Sequence, residues 1–223
     1  MGWNSWDCYA ATVTEAQLLE NAEYMRKYLL PFGWEYIVCD IQWYEPLAGT
    51  GEGEYRELWQ SHVRPGCWPD CDMLPLGRIG VGFKTPRFTN FTHDEQITMM
   101  TLWCIFRSPL MMGGILPDND DWTMSLLTNA EVLDVLKLGS CARQIRRDES
   151  GAVWMNSENP GRINLAFFNF DDREQTFRFP LKCIGMEGAK VRDLWAGKDL
   201  PPIMDEICAN LNPHGAVLFR LCK

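Results

Sequence analysis

Residues 34–43 read Trp-Glu-Tyr-Ile-Val-Cys-Asp-Ile-Gln-Trp, and the fold turns on them. The run is short, apolar and β-branched at its centre, the pattern of a buried strand. Just upstream, Thr14-Glu15-Ala16-Gln17 has the spacing of a capping box, in which the Thr14 hydroxyl takes a free amide and Gln17 reaches back. Leu18, Ala22, Met25 and Leu29 then recur at helical spacing, and Pro31 and Gly33 stop the helix. Gly2-Trp3-Asn4-Ser5-Trp6 reads as an earlier strand followed by a loop. Strand, helix, strand in this order predicts a right-handed βαβ unit with parallel strands.

Downstream, Leu47 to Glu54 is Gly-rich and turn-like, a connector without core residues. Trp68 to Pro75 (WPDCDMLP) is short and apolar around two aspartates. Thr92-His93-Asp94-Glu95 forms a second capping box, opening a helix through Ile97, Met100, Leu102, Trp103 and Phe106. Pro109 to Met112 reads as another buried strand, and Asp120 to Lys137 as one or two helices. From about Leu138 the texture becomes short β-rich runs separated by Gly, Pro and Asn. Examples are Ile163 to Phe168, Thr176 to Phe179 and Val217 to Leu221. The expectation is an α/β domain over 1–139 and an antiparallel β-sandwich over 140–223.

Composition narrows the function. Of 223 residues, 46% are hydrophobic, and 10 Trp, 11 Phe and 11 Met supply ample surface for a core, which excludes disorder as the main state. No apolar run approaches the ~18 residues that cross a bilayer, so no membrane partner is expected. The net charge of -9 argues against nucleic acid, which needs a basic face. Neither a basic leader nor an apolar stretch follows Met1, so no signal peptide is readable and a cytoplasmic setting is favoured. The nine cysteines are an odd number in a chain of this length, which does not suggest a disulfide framework. Cys67 and Cys71 have no second pair, and His62, His93 and His214 are scattered, so no zinc site is expected. The thiols read as small buried hydrophobes.

The carboxylates carry the chemistry. Asp40 ends its strand and is followed by Gln42 and Trp43. Asp70 and Asp72 are two apart, and on an extended segment they point the same way. The C-terminal ends of parallel strands are where α/β folds place ligands. Trp3, Trp6, Trp43 and Trp68 lie beside these aspartates in sequence. Aromatic rings stack on the C–H face of a sugar while carboxylates accept from its hydroxyls, so the combination suggests a sugar site. Asp after a strand also serves as an N-cap or Asx-turn former, and Trp also serves as core. No Ser-His-Asp arrangement, phosphate loop or dinucleotide fingerprint is present.

Met1 to Asp7 (MGWNSWD), the strand Trp34 to Trp43, Trp68 to Leu74 and Ser108 to Gly113 (SPLMMG) together resemble the family 27 glycoside hydrolases, the α-galactosidases and α-N-acetylgalactosaminidases. Val191 to Leu200 and Pro213 to Val217 resemble that family's C-terminal sandwich, and the likeness covers residues 1–43 and about 56–223. The resemblance implies a (β/α)8 barrel followed by a sandwich, retaining chemistry on α-galactosides, and no metal or organic cofactor. Retention needs two carboxylates about 5 Å apart, one nucleophile and one acid/base. In the family these lie at the ends of the fourth and sixth strands, and neither segment is found here, so no catalytic residue is assigned. A whole barrel takes about 250 residues, and the ~135 ahead of the sandwich hold about four βα units. By resemblance these are strands one, two, seven and eight, a contiguous arc in the order 2-1-8-7. The expected fold is therefore a partial barrel with two open edges.

The resemblance implies substrate-binding roles for Trp6, which lines the galactose pocket, for Asp40 with Trp43, and for Asp72 with Met73 on the opposite side. Asp70 matches a family aspartate of expected structural role. Where the family often has a second Asp after Asp40, this chain has Ile41. Cys8 and Cys39 lie at or near positions that vary in the family, and no disulfide is inferred. Three readings stand: an α-galactosidase-type hydrolase, a carbohydrate-binding remnant with part of a pocket, and a gene fragment or internally deleted product with no function of its own, whose half-barrel either pairs with a second copy to complete the barrel or aggregates.

Overall fold

The computed structural model describes residues 1–38, 68 and 70–223. Both capping boxes form. Thr14 accepts from the Gln17 amide at the start of helix α2 (Glu15–Tyr24), and Thr92 accepts from the Glu95 amide at the start of α3 (His93–Phe106). Each Thr amide in turn donates to the partner side chain, Thr14 to Gln17 Oε1 at 2.9 Å and Thr92 to Glu95 Oε2 at 2.7 Å. α2 runs into a π-helical turn, Met25–Leu29, and a 3-10 turn, Leu30–Phe32. The chain then stops at Gly33, whose φ of 90° is left-handed and suits glycine.

The described residues form two compact units. The first draws on residues 1–38, 70–90 and 109–128, and the second on 68, 91–108 and 129–223.

The first unit is built on a parallel sheet. Strand β1 (Gly2–Asn4) lies between β2 (Tyr36–Val38) and β5 (Met111–Met112), parallel to both. Leu74 adds a parallel bridge to Met112 on the far side of β5. The order β2, β1, β5, Leu74 is the expected 2-1-8-7 arc. Trp3 is fully buried at its centre and donates its indole N–H to the Gly114 carbonyl at 2.7 Å. Trp34 is equally buried and donates to Leu127 at 3.0 Å, at the end of α4 (Asp121–Leu127). Buried Asn21 of α2 accepts from the Leu116 amide at 2.8 Å. Each of these polar atoms would cost roughly 1–3 kcal/mol if buried unpaired.

Two expectations need correction here. In its described part, the stretch from Trp34 is less buried than its composition predicts. Strand structure covers Tyr36–Val38, and Tyr36 is 63% exposed. Residues 39–43 lie outside the described residues. A strand is buried on both faces only where packed layers cover them, and the Tyr36 side chain is open to solvent. The second correction concerns Asp70 and Asp72. Asp72 adopts a left-handed φ of 70°, and its amide donates to Asp70 Oδ1 at 2.9 Å. The segment is an Asx-type turn, so the two carboxylates do not project together from an extended strand.

A short hairpin, β3 (Arg78–Ile79) and β4 (Arg87–Phe88), belongs to this unit and follows Leu74 in the chain. Its inner loop is pinned to helix α1 (Trp6–Tyr9): the Gly80 amide donates to Asp7 O and the Gly82 amide to Cys8 O, each at 2.8 Å.

The second unit holds the sandwich. Strands β6 (Ser140–Arg147), β7 (Gly151–Asn159), β8 (Arg162–Asn169), β10 (Ala189–Asp193), β11 (Lys198–Ile203) and β13 (Ala216–Cys222) form one sheet, ordered β11-β10-β13-β8-β7-β6. β9 (Gln175–Pro180) and β12 (Glu206–Leu211) form the facing pair. β12 alternates exposed and buried, placing Ile207, Ala209 and Leu211 inward. Phe167 sits at the centre with Phe177, Phe179 and Phe219 at ring distances of 6.2–6.4 Å.

The large sheet is covered on its other face by α3 and by α5 (Ala130–Leu138). Buried Asn156 donates to the Ile105 and Val135 carbonyls of these helices at 3.2 and 3.4 Å, and Asn164 donates to Asn156 at 2.9 Å. Trp195 donates to Thr101 Oγ1 at 2.8 Å. By packing, then, α3 and α5 belong with the sheets although both precede residue 140. The thiols are less uniformly buried than expected: Cys8 and Cys104 are buried, whereas Cys141, Cys183 and Cys208 are exposed. Burial pushes the Cys8 and Cys104 thiols up to about 12.

Candidate functional site

The C-terminal end of β1 builds the site. The Ser5 amide closes the sheet onto Val38 O at 3.1 Å, and Asn4 Oδ1 accepts from the Trp6 amide at 2.9 Å. The chain therefore turns at once into α1, and Trp6 and Asp7 emerge at the strand's end. Gly113, just past β5, abuts the Asp7 carboxylate so closely that a Cβ there would overlap it. Glycine at this position makes room for the acid.

Asp7 is a candidate at this strand end that the sequence pattern did not single out. Its carboxyl is held above the usual aspartate value of 3.8, chiefly by burial and secondly by the charge of Asp72. Asp7 lies on α1 and Asp72 on the turn before Leu74. The Asp72 carboxylate also accepts from the Met73 amide at 2.7 Å, which ties Met73 into the same turn. The signal for Asp7 was its place directly after Trp6, together with a glycine at the end of β5.

Of the predicted site residues, Trp6, Asp72 and Met73 are described. Asp40 and Trp43 lie outside the described residues. Trp6 is half-buried and packs edge-on against Phe83 of the hairpin, with ring centroids 6.1 Å apart at 78°. The other tryptophans of the expected cluster divide differently. Trp3 is core. Trp68 stacks on the Arg107 guanidinium at 4.0 Å in the second unit. Arg107 holds a left-handed φ of 68° after α3, and its guanidinium donates to the Gly139 carbonyl and, at 3.4 Å, to Lys137 O. Trp68 and Arg107 therefore form a helix-end clamp. Asp70 bonds the Asp72 amide, the structural role expected of it. Among the described residues no three His, Cys, Asp or Glu side chains converge as a metal site requires.

Carboxylates and an aromatic at the C-terminal ends of parallel strands occupy the place where α/β folds bind ligands, and the same chain carries an antiparallel sandwich. Residues 3–137 match the family described as Alpha galactosidase A, and residues 148–221 match the Alpha galactosidase C-terminal beta sandwich domain. The chain belongs to the α-galactosidase A family, the melibiase-like proteins of glycoside hydrolase family 27. It is 29% identical over 164 residues to α-galactosidase D of Emericella nidulans, covering 71% of this chain and 24% of that protein. It is 25% identical over 175 residues to α-galactosidase 2 of Arabidopsis thaliana, covering 76% and 42%. The chain thus spans a quarter to two-fifths of these relatives' length. The crystal structure of a family 27 β-L-arabinopyranosidase from Geobacillus stearothermophilus superposes with a TM-score of 0.93 at 29% identity, covering 100% of this chain and 96% of that one. Among the described residues no helix is long and apolar enough to cross a membrane.

Proposed function

We propose that this chain carries the sugar-binding half of an α-galactosidase-type site and binds a terminal α-galactoside without hydrolysing it. The family's reaction is retaining hydrolysis, with one carboxylate as nucleophile and one as acid/base. By resemblance those groups sit on the fourth and sixth barrel strands. Residues 41–69 are too few to hold the four βα units between strands two and seven, at about 30 residues each. The observation that carries this reading is the strand order β2, β1, β5, Leu74, the arc from two to seven through one and eight. Trp6 supplies the stacking face. Asp40, Trp43, Asp72 and Met73 complete the binding set, and the proposed division of the chain is 1–139 and 140–223.

Loss of nucleophile and proton donor together removes the covalent route, since even single losses of such groups cost several orders of magnitude in rate. Calorimetric titration with galactose tests the binding, with a millimolar dissociation constant expected. No heat at tens of millimolar sugar sinks the binding reading. An aryl α-galactoside assay tests the chemistry. Turnover that Asp72→Asn abolishes would overturn the proposed inactivity.

Ile41 favours a second substrate. β-L-arabinopyranose is a galactose-like ring without the exocyclic hydroxymethyl group, and the Geobacillus stearothermophilus enzyme acts on it by name. Ile41 replaces a hydroxyl-binding Asp, and a site with one carboxylate fewer suits a sugar with one hydroxyl fewer. Stronger heat with L-arabinose than with galactose supports this substrate, and the reverse order refutes it. The proposed protein partner is a second copy of the chain, whose four strands would close the barrel. Nucleic acid and membrane are not proposed.

A further inference from the structure

The hairpin β3–β4 places an aromatic ring, Phe83, against Trp6. Phe83, in its inner loop, is 50% exposed, yet it stands on the least adjustable part of the hairpin. Gly82, its neighbour, approaches α1 so closely that a Cβ would overlap the Tyr9 carbonyl, and its amide donates to Cys8 O at 2.8 Å. Gly80, at a φ of 80°, bonds Asp7 O, and the Thr85 amide returns to Gly80 O at 3.0 Å. The loop is thus tied to the two residues that follow Trp6. Phe83 meets the Trp6 ring edge-on at 6.1 Å. What sets Phe83 apart from other exposed rings is its anchored loop and its contact with Trp6, which hold an apolar face beside the candidate site.

We propose that Phe83 forms the leaving-group side of the sugar site, a flat apolar platform that stacks on the ring attached to the terminal sugar. That ring is recognised by its face, so an aryl group and the C–H face of a second pyranose both qualify. The inference rests on the sugar-site reading above. Phe83 discriminates among glycosides by their aglycone and leaves affinity for the terminal sugar to Trp6 and the carboxylates.

Methyl and phenyl 1-thio-α-galactosides, which resist hydrolysis, separate the two contributions in calorimetric titrations. The full chain is expected to bind the phenyl glycoside about 3–10-fold more tightly than the methyl one. Phe83→Ala removes that preference and leaves methyl thiogalactoside affinity unchanged, whereas Phe83→Trp preserves it. Near-UV circular dichroism checks that the variants remain folded. Equal affinity of the parent chain for both glycosides, or a preference that survives Phe83→Ala, overturns the platform while the sugar site stands. An equal loss for both ligands in Phe83→Ala assigns Phe83 a structural role and also overturns it. A parent chain that binds neither glycoside overturns the sugar-site reading and the platform with it.

Discussion

Asp7 is coupled to its surroundings in three ways. Its carboxylate fills the space that Gly113 leaves, its backbone carbonyl holds the hairpin, and the charge of Asp72 acts on its acid. Burial comes first and the Asp72 charge second in raising its pKa above 3.8. A carboxyl with a raised folded-state pKa favours the native state while protonated. That contribution is complete below 3.8 and is lost as pH climbs through the folded value. Asp7→Asn abolishes this linkage. The melting temperature of the variant relative to the parent is expected to rise between about pH 3 and pH 7, measured by thermal denaturation in a buffer series. A constant difference across the series refutes the assignment. Asp70 shows the opposite economy at this scale, a carboxylate spent on a turn amide rather than on a ligand.

At the scale of elements, local chemistry that needs only near neighbours was legible. The capping boxes at Thr14 and Thr92 form as their spacing requires, because donor and acceptor lie three residues apart on any helix start. Thr92→Ala removes the acceptor for the Glu95 amide and is expected to destabilise the second unit by about 1 kcal/mol, with Thr92→Ser nearly neutral, as urea unfolding would measure. Loss below a few tenths of a kcal/mol would show that α3 is held by its packing alone. The Trp68 to Pro75 segment was less legible. Its two aspartates suggest a strand period, but a left-handed Asp72 and an Asx-type bond break it. The hairpin residues that matter, Gly80, Gly82 and Phe83, gave little signal, because their reason lies in helix α1, which is more than 70 positions distant.

For the molecule as a whole, the decisive feature is an arc of parallel strands. Tyr36 N donates to Met1 O at 3.3 Å and Val38 O accepts from Ser5 N, so alternate residues of β2 face β1 and the Ile37 backbone groups face the other way. If a second copy closes the barrel, it pairs there. Sedimentation velocity at tens of micromolar is expected to show a dimer, and Ile37→Pro, which deletes the outward amide, a folded monomer. A parent chain that sediments as a monomer at that concentration ends the closure reading.

By itself the sequence determined the succession of elements, the parallel character of the first part, the antiparallel sandwich, and the family to which the motifs belong. These follow from periodicity, capping and turn residues, which act over a few positions, and from motifs long enough to be specific. Tertiary structure alone decided the rest. It separated Trp3 and Trp68 from Trp6, because an indole becomes core or ligand surface only through what covers it. It moved α3 and α5 onto the sandwich, because both faces of a sheet rich in apolar residues must be buried. It also brought Asp7, Gly113 and Phe83 to one strand end, a proximity set by packing across the chain.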